Sequence, residues 1–191
     1  MKLFWRTIPV YWVIIALVST LLCGGIFMMT QKILRQDAND PQIQLAYDIA
    51  YQISHGAEVA NFINGNKIEV TKSLSSFVIL YDNSFQRIGS NALLNGHEFN
   101  IPAGVLKYTA ENGEDRVTWQ PQSQIRLATE VLRIDGNKPG FIVVGRSLRE
   151  VENRVNTLLV KVFCGWLVIL LTSVLLTIVL EKKSANSKQK A

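Results

Sequence analysis

Two long apolar runs dominate the pattern of hydrophobic and polar positions along this chain. Residues 8–29 contain no charged side chain over 22 positions, and residues 162–180 contain none over 19. As helices rising 1.5 Å per residue, both runs are long enough to cross a hydrocarbon core about 30 Å thick. We therefore predict transmembrane helices at residues 8–29 and 158–180.

After the first run, apolar residues recur at helical spacing. Asp40 and Pro41 fit an N-cap followed by proline at the first helical position. The face that follows is apolar at Ile43, Ala46, Ile49, Ala50 and Ile53. The pattern predicts a helix from Pro41 to about Asn61.

The middle of the chain then changes to short β-rich segments separated by turn residues. Strands are predicted at residues 76–81, 86–89, 116–120, 125–134 and 141–145, with a short helix at 101–109. The sequence thus indicates an α+β fold, with an antiparallel sheet and a long N-terminal helix, between two transmembrane helices.

The last predicted strand leads directly into a long helix. Ser147 and Glu150 have the spacing of a capping box, and Gly165 is the first glycine or proline after them. One continuous helix is therefore expected to join the last strand to the second apolar run. Such a helix serves either as a conduit for a signal or as an anchor.

The net charge of +5 belongs to the ends of the chain. Residues 31–156 carry 13 basic and 14 acidic side chains, whereas lysine and arginine flank both apolar runs. The positive-inside rule explains this distribution better than nucleic-acid binding does. We predict a cell (plasma or inner) membrane protein with residues 1–7 and the basic tail 181–191 in the cytoplasm, and residues 30–157 outside.

The first apolar run is expected to be an uncleaved signal anchor, since the apolar core of a secretory signal is only about 7–15 residues long. A cleaved signal and a lipoprotein site at Cys23 are the alternatives. The residues before Cys23 lack the small side chain that a lipoprotein site needs. Cys23 and Cys164 both lie in the runs, so no disulfide is predicted between them and the central segment.

Three stretches resemble the extracytoplasmic PAS-like (Cache-type) sensor region of bacterial membrane histidine kinases. Residues 78–82 with 88–90 are similar to its first hairpin, and residues 125–126 to the start of its arginine-led fourth strand. Residues 141–154 resemble its last strand and exit helix. The resemblance covers about residues 41–180 and implies a PAS-like fold, a homodimer and a place in two-component signal transduction.

A kinase of that family would continue with a linker, a phosphoacceptor histidine and an ATP-binding domain. Only eleven residues follow Leu180, and the chain contains no glycine-rich nucleotide loop. We therefore expect a sensor that lacks a kinase domain and signals through a partner, with a truncated sensor kinase as the alternative.

The resemblance also implies a small-molecule site between the sheet and its helices, with Tyr81, Trp119 and Arg126 as candidate ligand-binding residues. Arg126 would hold a carboxylate by a bidentate pair, and the two aromatic rings would close an apolar wall. The alternative is that the aromatic residues belong to the core and that Arg126 pairs with a surface acid such as Glu130.

Other polar clusters do not predict a chemical centre. Glu111, Glu114 and Asp115 lie near a turn, and His97 precedes Glu98. Both patterns are more typical of solvated loops than of a cation site. With two histidines in the chain, no Ser/His/Asp or Cys/His set can be identified. We predict no enzymatic activity, no metal and no cofactor.

Two sets of residues predict helix packing. Ala16, Thr20 and Gly24 form a small-residue stripe, and Cys23 and Cys164 are expected at the same depth, where the two runs pack. The exit helix carries a coiled-coil spacing at Leu148, Val151, Val155, Leu158 and Val162. This row predicts either a parallel dimer seam or packing on the chain's own domain.

The partners expected are therefore the lipid bilayer, a second copy of the chain, a membrane signalling partner and a small-molecule ligand, but no nucleic acid. The sequence favours a membrane-anchored sensor or regulatory input. The alternative is a membrane-anchored binding or assembly subunit without transmembrane signalling.

Overall fold

The computed structural model describes residues 4–37, 40–136 and 139–189. It is a mixed α+β structure that separates into two compact units. One unit, the helix pair, consists of the two ends of the chain, up to Leu34 and from Asn153 onward. The other unit, the central domain, is Arg35–Glu152.

Five helices and seven strands make up the described chain. The helices are α1 (Phe4–Asp37), α2 (Asp40–Ser54), α3 (Ala60–Ile63), α4 (Ala103–Asn112) and α5 (Arg149–Gln189). The strands are β1 (Ile68–Glu69), β2 (Phe77–Asp82), β3 (Arg87–Ser90), β4 (Ala92–Leu93), β5 (Glu114–Gln122), β6 (Ile125–Ile134) and β7 (Gly140–Ser147).

The main sheet has five strands in the order β3-β2-β7-β6-β5, and every neighbouring pair is antiparallel. The last strand in sequence, β7, therefore lies in the middle, between β2 and β6. This confirms the predicted antiparallel sheet and the predicted extent of β6. The short parallel pair of β1 and β4 was not predicted, because two residues are too few for a periodic signal.

Each face of the sheet carries its own apolar cluster, because successive residues of a strand point to opposite sides. On one face, α2 contributes Ala46, Ile49 and Ile53, which pack with Leu80 and Ile142 of the sheet. We call the cluster on the other face the α4-side core. It consists of Phe77, Ile79, Tyr81, Leu127, Val131, Phe141 and Val143 from the sheet, with Leu106, Ile101, Val70 and Ala92.

Two predicted boundaries are wrong. The helix after Pro41 ends at Ser54 instead of about Asn61, because Gly56 adopts a φ of 98°, and α3 forms separately. β5 does not stop at Pro121 but runs on to Gln122 with a shift in register after Trp119. β5 is an edge strand, where a residue without an N–H is tolerated. The predicted turn after Ile134 falls partly on residues outside the described ranges.

By length and composition, α1 and the part of α5 from Arg149 to Leu180 are both long and apolar enough to cross a membrane. Large apolar side chains along both helices are exposed, such as Leu21 at 68% and Leu171 at 64%. Partly buried positions recur every three or four residues on each helix, and the indole Nε1 of Trp166 donates to Thr20 Oγ1 at 3.0 Å. The two helices thus contact each other along one side and leave apolar surface on the others.

Candidate functional site

The two aromatic candidates, Tyr81 and Trp119, lie on the same face of the sheet. Tyr81 is 3% exposed and belongs to the α4-side core, and Trp119 packs against that core. The hydroxyl of Tyr81 accepts a hydrogen bond from the Ile101 N–H at 3.1 Å, and burial raises the pKa of this phenol. The buried indole Nε1 of Trp119 has no hydrogen-bond partner among the described residues. Both rings serve as core residues, the alternative that the sequence left open.

Arg126 does not join the two aromatic residues. It precedes Leu127, which lies in the α4-side core, so the side chain of Arg126 projects from the opposite face of the strand. Its Nη1 pairs with Glu152 Oε1 at 3.1 Å instead of with Glu130. The three residues therefore do not line one site within this chain.

Glu130, which the sequence predicted to be a surface acid, is buried. Its side chain is 1% exposed, and Arg116 Nε on the neighbouring strand lies 3.1 Å from Glu130 Oε2. Burial raises the pKa of Glu130, and the guanidinium of Arg116 opposes that rise. Nearby, the hydroxyl of Tyr47 on α2 donates to Glu114. The sequence signal for this pair was an acidic residue within an otherwise apolar strand. Glu130 and Arg116 satisfy each other as an ion pair and have a structural role.

A second charged group fixes the segment that covers the α4-side core. Glu98 pairs with Lys67 Nζ at 2.7 Å and with Arg87 Nη2 at 2.9 Å. The hydrogen bond from Lys67 is the main reason why the pKa of Glu98 is lowered. Arg87 Nη1 also donates to Asn100 Oδ1 at 3.0 Å. The segment from Glu98 to Asn100 is therefore held by charge, and His97 contributes through a backbone bridge to Leu94.

Glu69 of β1 is the most strongly hydrogen-bonded carboxylate among the described residues. Its Oε1 accepts from Thr71 Oγ1 at 2.7 Å and from Asn95 N at 3.0 Å, and its Oε2 accepts from Gly96 N at 2.8 Å. Burial alone would raise the pKa of Glu69. The hydrogen bonds from Thr71, Gly96 and Asn95 outweigh that effect and lower the pKa to about 2. The ionised carboxylate thus ties β1 to the turn after β4.

Replacement of this carboxylate is expected to have a pH-dependent effect. Glu69→Gln should destabilise the central domain by about 1–2 kcal/mol at pH 7, because charge-assisted hydrogen bonds are lost. The folded pKa of Glu69 is about 2, against an ordinary value of 4.5. Its contribution is therefore present above about pH 4.5 and is lost as the pH falls toward 2. Denaturant unfolding of the full chain in detergent at pH 7 and pH 3 measures this.

The difference between the native chain and Glu69→Gln should be smaller at pH 3 than at pH 7. Glu111→Gln is the matched control, since Glu111 is exposed and is expected to change stability little at either pH. An equal difference at both pH values would mean that the carboxylate is not held in its ionised form.

An apolar cavity of about 330 Å³ lies on the central domain. Its lining consists of Ile53, Val59, Leu80, Tyr81, Ile88, Ile134, Pro139 and Gly140. It is at the end of the sheet opposite to the end where β7 leads into α5. None of these described lining residues is charged, and no group of three or more His, Cys, Asp or Glu residues in the described part of the chain could hold a metal ion. The cavity has room for a small apolar group.

The residues predicted for helix packing in α1 have mixed surroundings. Thr20 contacts Trp166, and Ala16, Cys23 and Gly24 are partly buried. A Cβ built on Gly24 would have no neighbour within 4 Å, so the expected close helix approach at this glycine is absent. Cys164 is exposed and Cys23 is partly buried, and the packing of the two runs at this depth stays a prediction. Gly165 likewise has open space around it.

The apolar row of the exit helix is covered within the single chain. Val155 is 9% exposed, and the other members are partly buried: Leu148, Val151, Leu158 and Val162. Ser147, predicted to cap this helix in a capping box with Glu150, accepts through its Oγ from the Arg149 N–H at 3.4 Å, and the capping box itself stays a prediction. Both alternatives for the row, a parallel dimer seam and packing on the chain's own domain, stay predictions.

No protein-family model matches this sequence, and a search of curated proteins finds no match. Functional conclusions therefore rest on the contacts of the chain itself.

Proposed function

We propose that this chain is a two-span membrane protein whose central domain is an extracytoplasmic, PAS-like sensor or regulatory input that signals through a partner in the membrane. The observation that carries this proposal is the junction of β7 and α5. The central strand of the sheet ends at Ser147, and α5 begins at Arg149 and continues to Gln189. A displacement of the sheet would thus be passed to one uninterrupted helix.

The surface of the helix pair supports the membrane location. Met29 is 71% exposed and Leu180 is 64% exposed, and apolar surface of this extent would associate in water. Hydroxyl groups within the apolar runs bond to carbonyls of their own helix, as Thr172 does to Val168 at 2.8 Å. Polar groups that are satisfied within the segment are compatible with a hydrocarbon environment.

The order of strands supports the PAS-like assignment. The resemblance in sequence implied a first hairpin, an arginine-led fourth strand and a last strand before the exit helix. In the five-stranded sheet, β2 and β3 pair as a hairpin, β6 is the fourth strand in chain order, and β7 is the last. Arg126 is the second residue of β6.

The charge distribution supports the orientation. Lys2 and Arg6 precede the first apolar run, and lysines at 182, 183, 188 and 190 follow the second. Both termini are accordingly placed in the cytoplasm and the central domain outside the cell membrane. In this orientation the signal is a shift between two arrangements of the helix pair, and a stimulus acts only if it binds the two unequally.

One observation favours a second function, a membrane-anchored assembly subunit without signalling. Arg126, the charged residue predicted to recognise a small molecule, already pairs with Glu152. A domain whose predicted ligand-binding arginine is already engaged in an ion pair is better suited to binding a protein surface than a charged small molecule. The two functions differ in whether the partner contacts the spans.

Truncation of the tail and substitution in α1 test the route by which a signal leaves. Deletion of residues 184–191 is expected to leave binding of the membrane partner intact, since the tail has no apolar face to dock. Leucine at Ala16, Thr20 and Gly24 together should abolish binding, because the hydrogen bond to Trp166 and the small-residue surface are both lost. Recovery of the partner with the full chain from gentle detergent measures both.

Val13→Leu and Val18→Leu are the matched controls in α1, because both valines are exposed and leucine preserves their character. A partner that survives the triple leucine change but is lost with the tail would refute coupling within the membrane. A partner that binds through the central domain alone would support the assembly subunit.

A further inference from the structure

Arg149 holds the first turn of α5 to the loop between β1 and β2. Its Nη1 donates to the carbonyl of Thr71 at 2.5 Å, and its Nη2 donates to the carbonyl of Lys72 at 2.8 Å. A cation in the first turn of a helix is opposed by the helix dipole. The position of Arg149 is therefore explained by the two carbonyls and not by a preference of the helix.

The loop that receives Arg149 is built on Glu69. Thr71 donates to the carboxylate through its hydroxyl, and the N–H groups of Lys72 and Ser73 donate to the Glu69 carbonyl at 3.0 and 2.8 Å. The same loop has a second tie to the end of the sheet, since Arg146 Nε in β7 donates to Leu74 O at 3.1 Å. Of these bonds, the one from Thr71 goes to the carboxylate, so Thr71, whose carbonyl Arg149 contacts, is held directly by the Glu69 side chain.

On its other side, Glu69 holds the turn between Leu94 and His97. Asn95 and Gly96 donate their N–H groups to the carboxylate, and both have positive φ, 53° and 80°. This turn continues into the segment that Glu98 fixes over the α4-side core. One carboxylate therefore stands between the covering segment and the loop that holds α5.

We propose that Glu69 and Arg149 couple the turn at Leu94–His97 to the start of α5. A change that displaces the covering segment withdraws the donors from Glu69, loosens the Thr71–Lys72 loop and frees the first turn of α5. This coupling rests on the proposed function for its purpose, since it gives the route by which a stimulus on the domain reaches the exit helix.

Hydrogen exchange of the full chain in lipid nanodiscs tests the coupling in both directions. Glu69→Gln should accelerate exchange of the α5 amides from Glu152 to Asn156 about fivefold more than it accelerates exchange of the core amides of Val131 and Val143, although no hydrogen bond joins Glu69 to α5 in the described chain. Arg149→Lys keeps the charge but cannot span two carbonyls, and it should accelerate exchange at Asn95 and Gly96. Lys72→Ala is the matched control, because it removes a neighbouring charge and leaves the accepting carbonyl in place.

The coupling is overturned if Glu69→Gln leaves exchange in α5 unchanged, or if Arg149→Lys affects α5 alone. Equal acceleration at the core amides of Val131 and Val143 would indicate general loosening and would overturn it as well. The measurement needs neither a ligand nor a partner. A negative result therefore leaves the membrane orientation untouched, and an error in the orientation leaves the exchange result valid.

Discussion

A cysteine introduced at Asn83 is expected to react with a membrane-impermeant maleimide on intact cells, whereas one at Ser187 should react only after permeabilisation. Asn83 is exposed in the turn between β2 and β3, so folding of the domain will not bury the sulfur. The expected contrast is all or none, because a bilayer separates the two positions in the proposed orientation. Labelling is measured in a background in which Cys23 and Cys164 are replaced by alanine.

Both cysteines should react fully in detergent, which controls for reactivity. The opposite pattern, with Ser187→Cys labelled on intact cells and Asn83→Cys protected, would place the central domain in the cytoplasm. A domain on that side could not receive an external stimulus, and the sensor proposal would then fail together with the orientation.

Gly145→Val is expected to destabilise the central domain by about 3 kcal/mol or more. Gly145 lies in the central strand β7, where an added Cβ would meet Phe77 Cζ at 2.3 Å and Thr129 Cγ2 at 2.6 Å. Both neighbours are buried and cannot swing into solvent. Overpacking of a core costs about 1–3 kcal/mol or more per site, against about 5–15 kcal/mol of total stability. The lowered denaturant midpoint of unfolding, followed by near-ultraviolet circular dichroism, measures the effect.

Gly65→Val provides the control, because a Cβ at Gly65 has no neighbour within 4 Å and its stability change should stay within about 0.5 kcal/mol. A double-mutant cycle gives the sharper test. Phe77→Leu should relieve part of the cost of Gly145→Ala, so the two changes together should cost less than their sum. Strict additivity would show that Phe77 is not the obstacle.

The regular elements of this fold were predictable because their signals are local. β6 alternates between two buried faces over ten residues, and the prediction gave its ends correctly. The end of α2 was missed because Gly56, which takes a positive φ, is followed by residues that still fit a helical pattern. β1 and β4 were missed because a pair of two-residue strands is defined by its partner and not by its own sequence.

The candidate site was less predictable, because it depends on residues far apart in sequence. Tyr81 and Trp119 come to one face through the pairing of β5 with β6 and of β7 with β2. Arg126 lies on the opposite face because successive residues of a strand point to opposite sides of the sheet. Which side faces the α4-side core is known only once the register of the strands is known. No local pattern in the sequence pointed to the role of Glu69, because its donors Asn95 and Gly96 are 26 and 27 residues away from it in the sequence.

The central place of β7 has a consequence for the order in which this protein is made. Because β7 bonds to both β2 and β6, the two halves of the sheet cannot join before residues 140–147 have been synthesised. Contacts between segments so distant in sequence form late and slowly. Synthesis reaches α5 immediately afterwards, so the domain completes its sheet at the same stage at which the second apolar helix is produced. A chain interrupted before Gly140 would retain its first apolar helix but would lack the strand that unites the domain.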